Sequence, residues 1–190
     1  SISSDGTYLI VGAYGRASQN GAIFFFQRTG SSTSDWAWSI MGSVQTNPTG
    51  DAGDLFGRAV KMSPDGLTAL VHSRDDFDDD DGGAVFLYKR SGSTWTYKYT
   101  IRQVSKGERG RDSADRFGSA LAISTDASYF IAGSWPDDDN GTNAGAAYIF
   151  TRDTTHHVTT DLKLQSNTWH NLTYAYQGEG GSRVTYLDGR

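Results

Sequence analysis

The sequence predicts an all-β chain, built from consecutive four-stranded antiparallel sheets of about 60 residues each and closed by a β-hairpin. Composition is the first observation behind this: of 22 acidic residues 20 are Asp, Gly supplies 23 residues, and aromatics make up 13%. Asp and Gly favour turns, and aromatic side chains suit pleated surfaces better than helix interiors. Internal repetition is the second. Ser3-Ser4-Asp5-Gly6, Ser63-Pro64-Asp65-Gly66 and Ser124-Thr125-Asp126-Ala127 stand 60 and 61 residues apart. Each precedes an apolar run, and a strand opening Gly21-Ala22, Gly83-Ala84 or Gly145-Ala146 follows at spacings of 62. Asp54-Leu55-Phe56-Gly57 and Asp115-Arg116-Phe117-Gly118 repeat at 61, and Ser34-Asp35-Trp36 and Ser93-Thr94-Trp95 at 59. Five landmarks at one period define a structural repeat.

The second copy shows the elements most fully, as strands at about 57–63, 67–73, 83–90 and 94–101. Asp65-Gly66 joins the first two, because Gly enters positive φ at no steric cost. Ala127 replaces that Gly in the third copy, which predicts a different turn type there. The third strand, Ala84-Val85-Phe86-Leu87-Tyr88, is apolar on both faces and predicts a strand covered on each side. A four-stranded sheet of this kind cannot bury two apolar faces alone, so neighbours must stack on it. Four strands per unit predict β-propeller blades, which close in rings of roughly four to eight. About two and three-quarter units are present, and the first lacks the Phe-Gly strand. The expected partners are therefore other protein chains, or the rest of a longer polypeptide, that complete the ring.

The order Asp-x-Phe-Gly-x-Ala, Asp-Gly, Ile-Val-Gly-Ala and Gly-Ala-Val-Phe-Leu-Tyr resembles the FG-GAP repeat of integrin-α-type propellers. The resemblance covers residues 1–152, and the domain reading is blades over 1–153 followed by a separate β segment over 154–190. It implies an extracellular or cell-surface protein serving adhesion or scaffolding. That family's calcium motif, Asp-x-Asp-x-Asp-Gly, does not carry over. Each corresponding turn here holds one carboxylate, too few for the six to eight oxygens calcium prefers.

After Arg152 the fourth strand with its Trp is not recognisable. Leu162–Tyr176 and Ser182–Arg190 instead alternate apolar and polar residues around Gly178-Glu179-Gly180-Gly181, a hairpin pattern. Trp169-His170-Asn171-Leu172 and Val184-Thr185-Tyr186-Leu187-Asp188-Gly189 resemble part of a laminin G-like or concanavalin-type jelly-roll.

A net charge of -5 without a basic patch argues against nucleic-acid partners. No apolar run approaches the roughly 18 residues of a membrane span, so no membrane insertion is expected. With zero Cys, disulfides and thiolate metal sites are excluded. Neither a nucleophile elbow nor a two-His metal motif is present, so no catalytic residue is assigned and a non-enzymatic protein is expected. The adjacent pair His156 and His157 would point to opposite faces of a strand.

Three groups stand out as candidate sites. Asp75, Asp76, Asp78, Asp79, Asp80 and Asp81 crowd together, and two such charges about 6 Å apart repel by roughly 0.7 kcal/mol in water. Asp76, Asp78 and Asp80 have the alternate spacing of a calcium loop, although Asp81 and Leu87 stand where such loops place Gly and Glu. Calcium is thus the one cofactor considered, against a solvated acidic loop. Asn140-Gly141-Thr142 and Asn171-Leu172-Thr173 are glycosylation sequons, placing candidate glycans on Asn140 and Asn171. Trp135, beside Pro136-Asp137, is the expected exposed ligand contact. Trp36 and Trp95, in step with the repeat, are expected to pack.

The functional expectation is an extracellular scaffold or adhesion module that presents loops 16–20, 75–82 and 136–144, open to assembly into a fibre or surface structure. The alternatives are a carbohydrate-binding, lectin-like module that takes glycans, and an accessory region of a larger secreted hydrolase.

Overall fold

The computed structural model describes residues 1–48, 53–74, 82–102, 116–136 and 145–150, with the backbone alone for 151–152 and for three later strands. The first sheet holds β1 (Tyr8–Gly12), β2 (Ile23–Thr29) and β3 (Ala37–Ile40), in that order. The second runs β4 (Val60–Met62), β5 (Thr68–Ser73), β6 (Ala84–Ser91) and β7 (Thr94–Arg102). In the third, β8 (Ala120–Ile123), β9 (Tyr129–Ser134), β10 (Ala146–Arg152) and β11 (His157–Thr160) are again hydrogen-bonded in sequence order. A separate antiparallel hairpin pairs β12 (Leu172–Ala175) with β13 (Val184–Leu187). All pairings within the sheets are antiparallel, and among the described residues helix is confined to one turn at Arg16–Gln19.

The repeat spacing is visible in the pairing. Ile2 bridges Leu9 as Met62 pairs with Ala69, 60 residues on. The backbone N–H and C=O groups of Ser1 and Ile10 bond to each other beside it. The N-terminal residues thus lie beside β1 at the edge of the first sheet, the side that β4 takes in the second sheet and that the lack of a Phe-Gly strand was expected to leave empty.

Pleating sends alternate side chains to opposite faces, and both faces of the second sheet are buried. Ala69, Val71, Phe86, Tyr88 and Trp95 pack with Ile10, Ile23 and Phe25 of the first sheet. Leu70, Val85, Leu87 and Ile101 pack with Phe130, Ala132, Tyr148 and Phe150 of the third. Strand β6 is consequently buried from Ala84 to Tyr88, as its two-sided apolar sequence predicts. The same positions recur in each seam: Ile10, Ile23 and Phe25 correspond to Leu70, Val85 and Leu87. Likewise Ala69, Val71, Phe86 and Tyr88 correspond to Phe130, Ala132, Tyr148 and Phe150.

Three expectations are corrected. Ala127 does not change the turn: its φ of 55° matches Gly6 at 66° and Gly66 at 65°. Hydrogen bonds from neighbouring side chains hold that geometry despite the Cβ. The third sheet does have a fourth strand, since Ile149–Arg152 of β10 pairs with His157–Thr160, which the sequence hid by offering no Trp there. Finally, Trp36 does not pack as expected but is 48% exposed, and it is not the counterpart of Trp95. Trp95 lies opposite Arg90 and Trp38 lies opposite Arg28, so the strand register makes Trp38 its counterpart. The loop after β2 is longer, and sequence spacing alone therefore picked the wrong ring.

Candidate functional site

The turn that joins the first two strand positions is built alike in all three sheets. Ser3 Oγ donates to Asp5 (2.6 Å) and accepts from the Tyr8 N–H (2.9 Å), while the Thr7 N–H donates to Asp5 (2.9 Å). Ser63, Asp65, Leu67 and Thr68 repeat these bonds, as do Ser124, Asp126, Ser128 and Tyr129. The donors hold the carboxyl groups of Asp5 and Asp126 at about pKa 2, with the Ser hydroxyl bonds as the largest cause. Each lone carboxylate is therefore engaged by its own turn.

The junction between sheets also repeats. The Phe56 N–H donates to the Asn20 carbonyl (3.3 Å), and, 61 and 62 residues on, the Phe117 N–H donates to the Gly82 carbonyl (2.8 Å). Gly57 and Gly118 adopt φ of 88° and 89°, and the residues before each Phe, Leu55 and Arg116, sit at 53° and 49°. Side chains rarely accept that region, and strain of this kind persists only where the surroundings over-determine it. Here the determinant is close approach. A Cβ on Gly21 would overlap the Phe56 backbone, and one on Gly83 would overlap that of Phe117. Phe56 then meets Phe86 edge-on at 5.3 Å, and Phe117 meets Tyr148 edge-on at the same 5.3 Å. Across the first seam Trp95 stacks on Phe25 (4.1 Å, 6°) and the Arg90 guanidinium covers the Tyr8 ring at 3.7 Å.

His72 lies on β5 at the second seam, where register places Gly12 and Gly133 in the other sheets. It is 1% exposed, with neither ring nitrogen partnered among the described residues. Burial, reinforced by the Arg58 charge, pulls its pKa down to about 3, so the ring is neutral. Tyr88 is pushed up by burial, then by Tyr97, and its hydroxyl likewise has no partner among the described residues.

Of the sequence-chosen sites, Trp135 is described. It is 58% exposed, and the Arg116 guanidinium stands 5.0 Å from its ring centre. Asp76, Asp78 and Asp80, and the sequons at Asn140 and Asn171, lie outside the described residues. Among the described residues, no three His, Asp or Glu side chains gather in a metal-holding group. Nor is any helix there long and apolar enough to cross a membrane. Sequence reasoning missed Trp38, His72 and the Arg90–Tyr8 contact, because only strand register and sheet stacking bring these residues into place.

No curated protein matches the chain. Residues 110–150, which span the second Phe-Gly junction and run through most of β10, match the family model of the FG-GAP repeat.

Proposed function

We propose that the chain is a non-enzymatic scaffold or adhesion module of the extracellular space or cell surface, presenting loops from β-propeller-type blades. The twice-repeated seam supports this most: its strained Phe-Gly residues, close-approach glycines and buried aromatics serve to hold one sheet against the next. Gly21 and Gly83 enter that junction at equivalent positions, so the sheets fix the roots of the segments that precede them. The FG-GAP match over 110–150 agrees with such a role. Calcium held by Asp76, Asp78 and Asp80, and glycans on Asn140 and Asn171, belong to the same proposal.

Adhesion to immobilised matrix proteins and to cells tests it, comparing the chain with variants whose loops 16–20, 75–82 and 136–144 are each replaced by Gly-Ser. Binding lost on loop replacement at unchanged thermal stability is expected. Absence of binding, or binding indifferent to all three loops, would overturn it. The exposed Trp135 favours one second reading, a carbohydrate-binding module whose tail is the laminin G-like segment. A glycan array on which Trp135→Ala abolishes all hits would favour it.

A further inference from the structure

The two seams use corresponding positions, yet three contacts that fasten the first have no means of forming at the second. In the first, the Ser4 N–H and hydroxyl both donate to the Pro64 carbonyl (2.8 and 2.9 Å), tying one turn to the next. Pro64 itself stands at the Ser4 position one sheet on, and it has neither an N–H nor a hydroxyl to donate. At the first seam Arg90 also covers the Tyr8 ring and Trp95 stacks on Phe25. Thr68 and Leu87 take the places of Tyr8 and Phe25 at the second, and neither offers a ring to a guanidinium or an indole.

The second seam holds instead a group that the first lacks. Gly12 and Gly57 approach so closely that a Cβ on Gly12 would overlap the Gly57 carbonyl. The equivalent pair is His72 and Gly118, and a Cβ on Gly118 would come within 3.0 Å of the His72 ring. That ring is buried opposite Val85, with neither nitrogen partnered among the described residues. Of the elements packed around it, β4 and the segment before it bring Arg58 and Lys61, and β6 brings the apolar Val85 and Leu87. Strand β7 brings Tyr99, and the third sheet brings Tyr148 and Arg116, whose guanidinium stands beside Trp135. Burial and the Arg58 cation both oppose a proton on His72, and no carboxylate among the described residues favours one.

We propose that the second seam is the joint at which the molecule opens, the second and third sheets parting as His72 takes up a proton from acidic solvent. In the closed seam an imidazolium would be surrounded by Leu70, Val85 and the Gly118 backbone, with no water to solvate it. Once the sheets part, the ring is an ordinary histidine that titrates near pH 6.5. Each pH unit below that value multiplies the opened fraction by about ten, until the closed ring itself titrates near pH 3. The first seam has Gly12 at this position and carries no such response.

The chain has no cysteine, so one introduced thiol reports opening. Ile10→Cys marks the first seam and Leu70→Cys the corresponding place in the second, both positions being fully buried. Labelling by dithiodipyridine is followed between pH 7.5 and 4.5, each rate divided by that of the urea-unfolded chain at the same pH. Leu70→Cys is expected to react faster than Ile10→Cys throughout, and its relative rate to rise about 100-fold over that range, nearly all of it below pH 6.5. Adding His72→Leu to Leu70→Cys should abolish the rise, with folding checked by circular dichroism. Ring NMR of the unsubstituted chain supplies a reading that does not depend on that variant: His72 should stay neutral down to pH 4.5. Equal rates at the two thiols, or a Leu70→Cys rate indifferent to acid, would overturn the proposal. So would a rise that survives His72→Leu, or a folded-state His72 that titrates near pH 6.5.

Discussion

Ala127 is the residue at which local propensity and repeat geometry disagree most openly. Its backbone holds the left-handed conformation that Gly6 and Gly66 take in the other sheets. For a residue with a Cβ that conformation costs roughly 1–2 kcal/mol, partly offset by the lower chain entropy of Ala in the unfolded state. Ala127→Gly is therefore expected to stabilise the fold by about 0.5–1 kcal/mol, read as a shift in denaturation midpoint. His72 makes the complementary prediction in pH. Its folded pKa of about 3 lies below the 6.5 of an ordinary histidine. The unfolded chain therefore takes up a proton that the folded chain refuses. Stability is full above about pH 6.5 and declines towards pH 3, by up to about 1.4 kcal/mol per unit. His72→Leu should flatten that slope. The Asp5 and Asp126 carboxyls act in a lower window, their contribution being lost only as pH falls from 3.8 towards about 2.

At the scale of the element, the Gly-Ala strand openings and the Phe-Gly junctions act as one device. Gly83, at φ 81°, leaves no room for a side chain beside the Phe117 backbone, whereas Gly92, at φ 58°, faces open space. Gly83→Ala should cost about 2–4 kcal/mol, combining backbone strain with overpacking, and Gly92→Ala only about 1–2. Chemical denaturation of the two variants separates the terms. Strand order and the location of the turns were legible in the sequence because Asp, Gly and alternating apolar residues encode them locally. The Trp38–Trp95 equivalence was not, since a lengthened loop uncouples sequence spacing from hydrogen-bond register. Strand β11 was equally hidden, as its His157–Thr160 segment lacks the aromatic landmark of its counterparts.

For the whole molecule, stacking turns three marginal sheets into one body. The burial of both faces of the second sheet was foreseeable from Ala84–Tyr88, which is apolar without alternation. The seam partners were not, for they depend on how one sheet's pleat meets another. As to sites, Trp135 was placed on the surface from sequence, while His72 emerged only once its strand was buried. The central claim is that consecutive sheets lie face to face through a repeated seam. Ring-to-ring nuclear Overhauser contacts between Phe25 and Trp95, in a chain with selectively labelled aromatics, test it most directly. The account predicts strong cross-peaks between these two rings, which stack at 4.1 Å across the first seam. Strong signals within each sheet with none between Phe25 and Trp95 would contradict it.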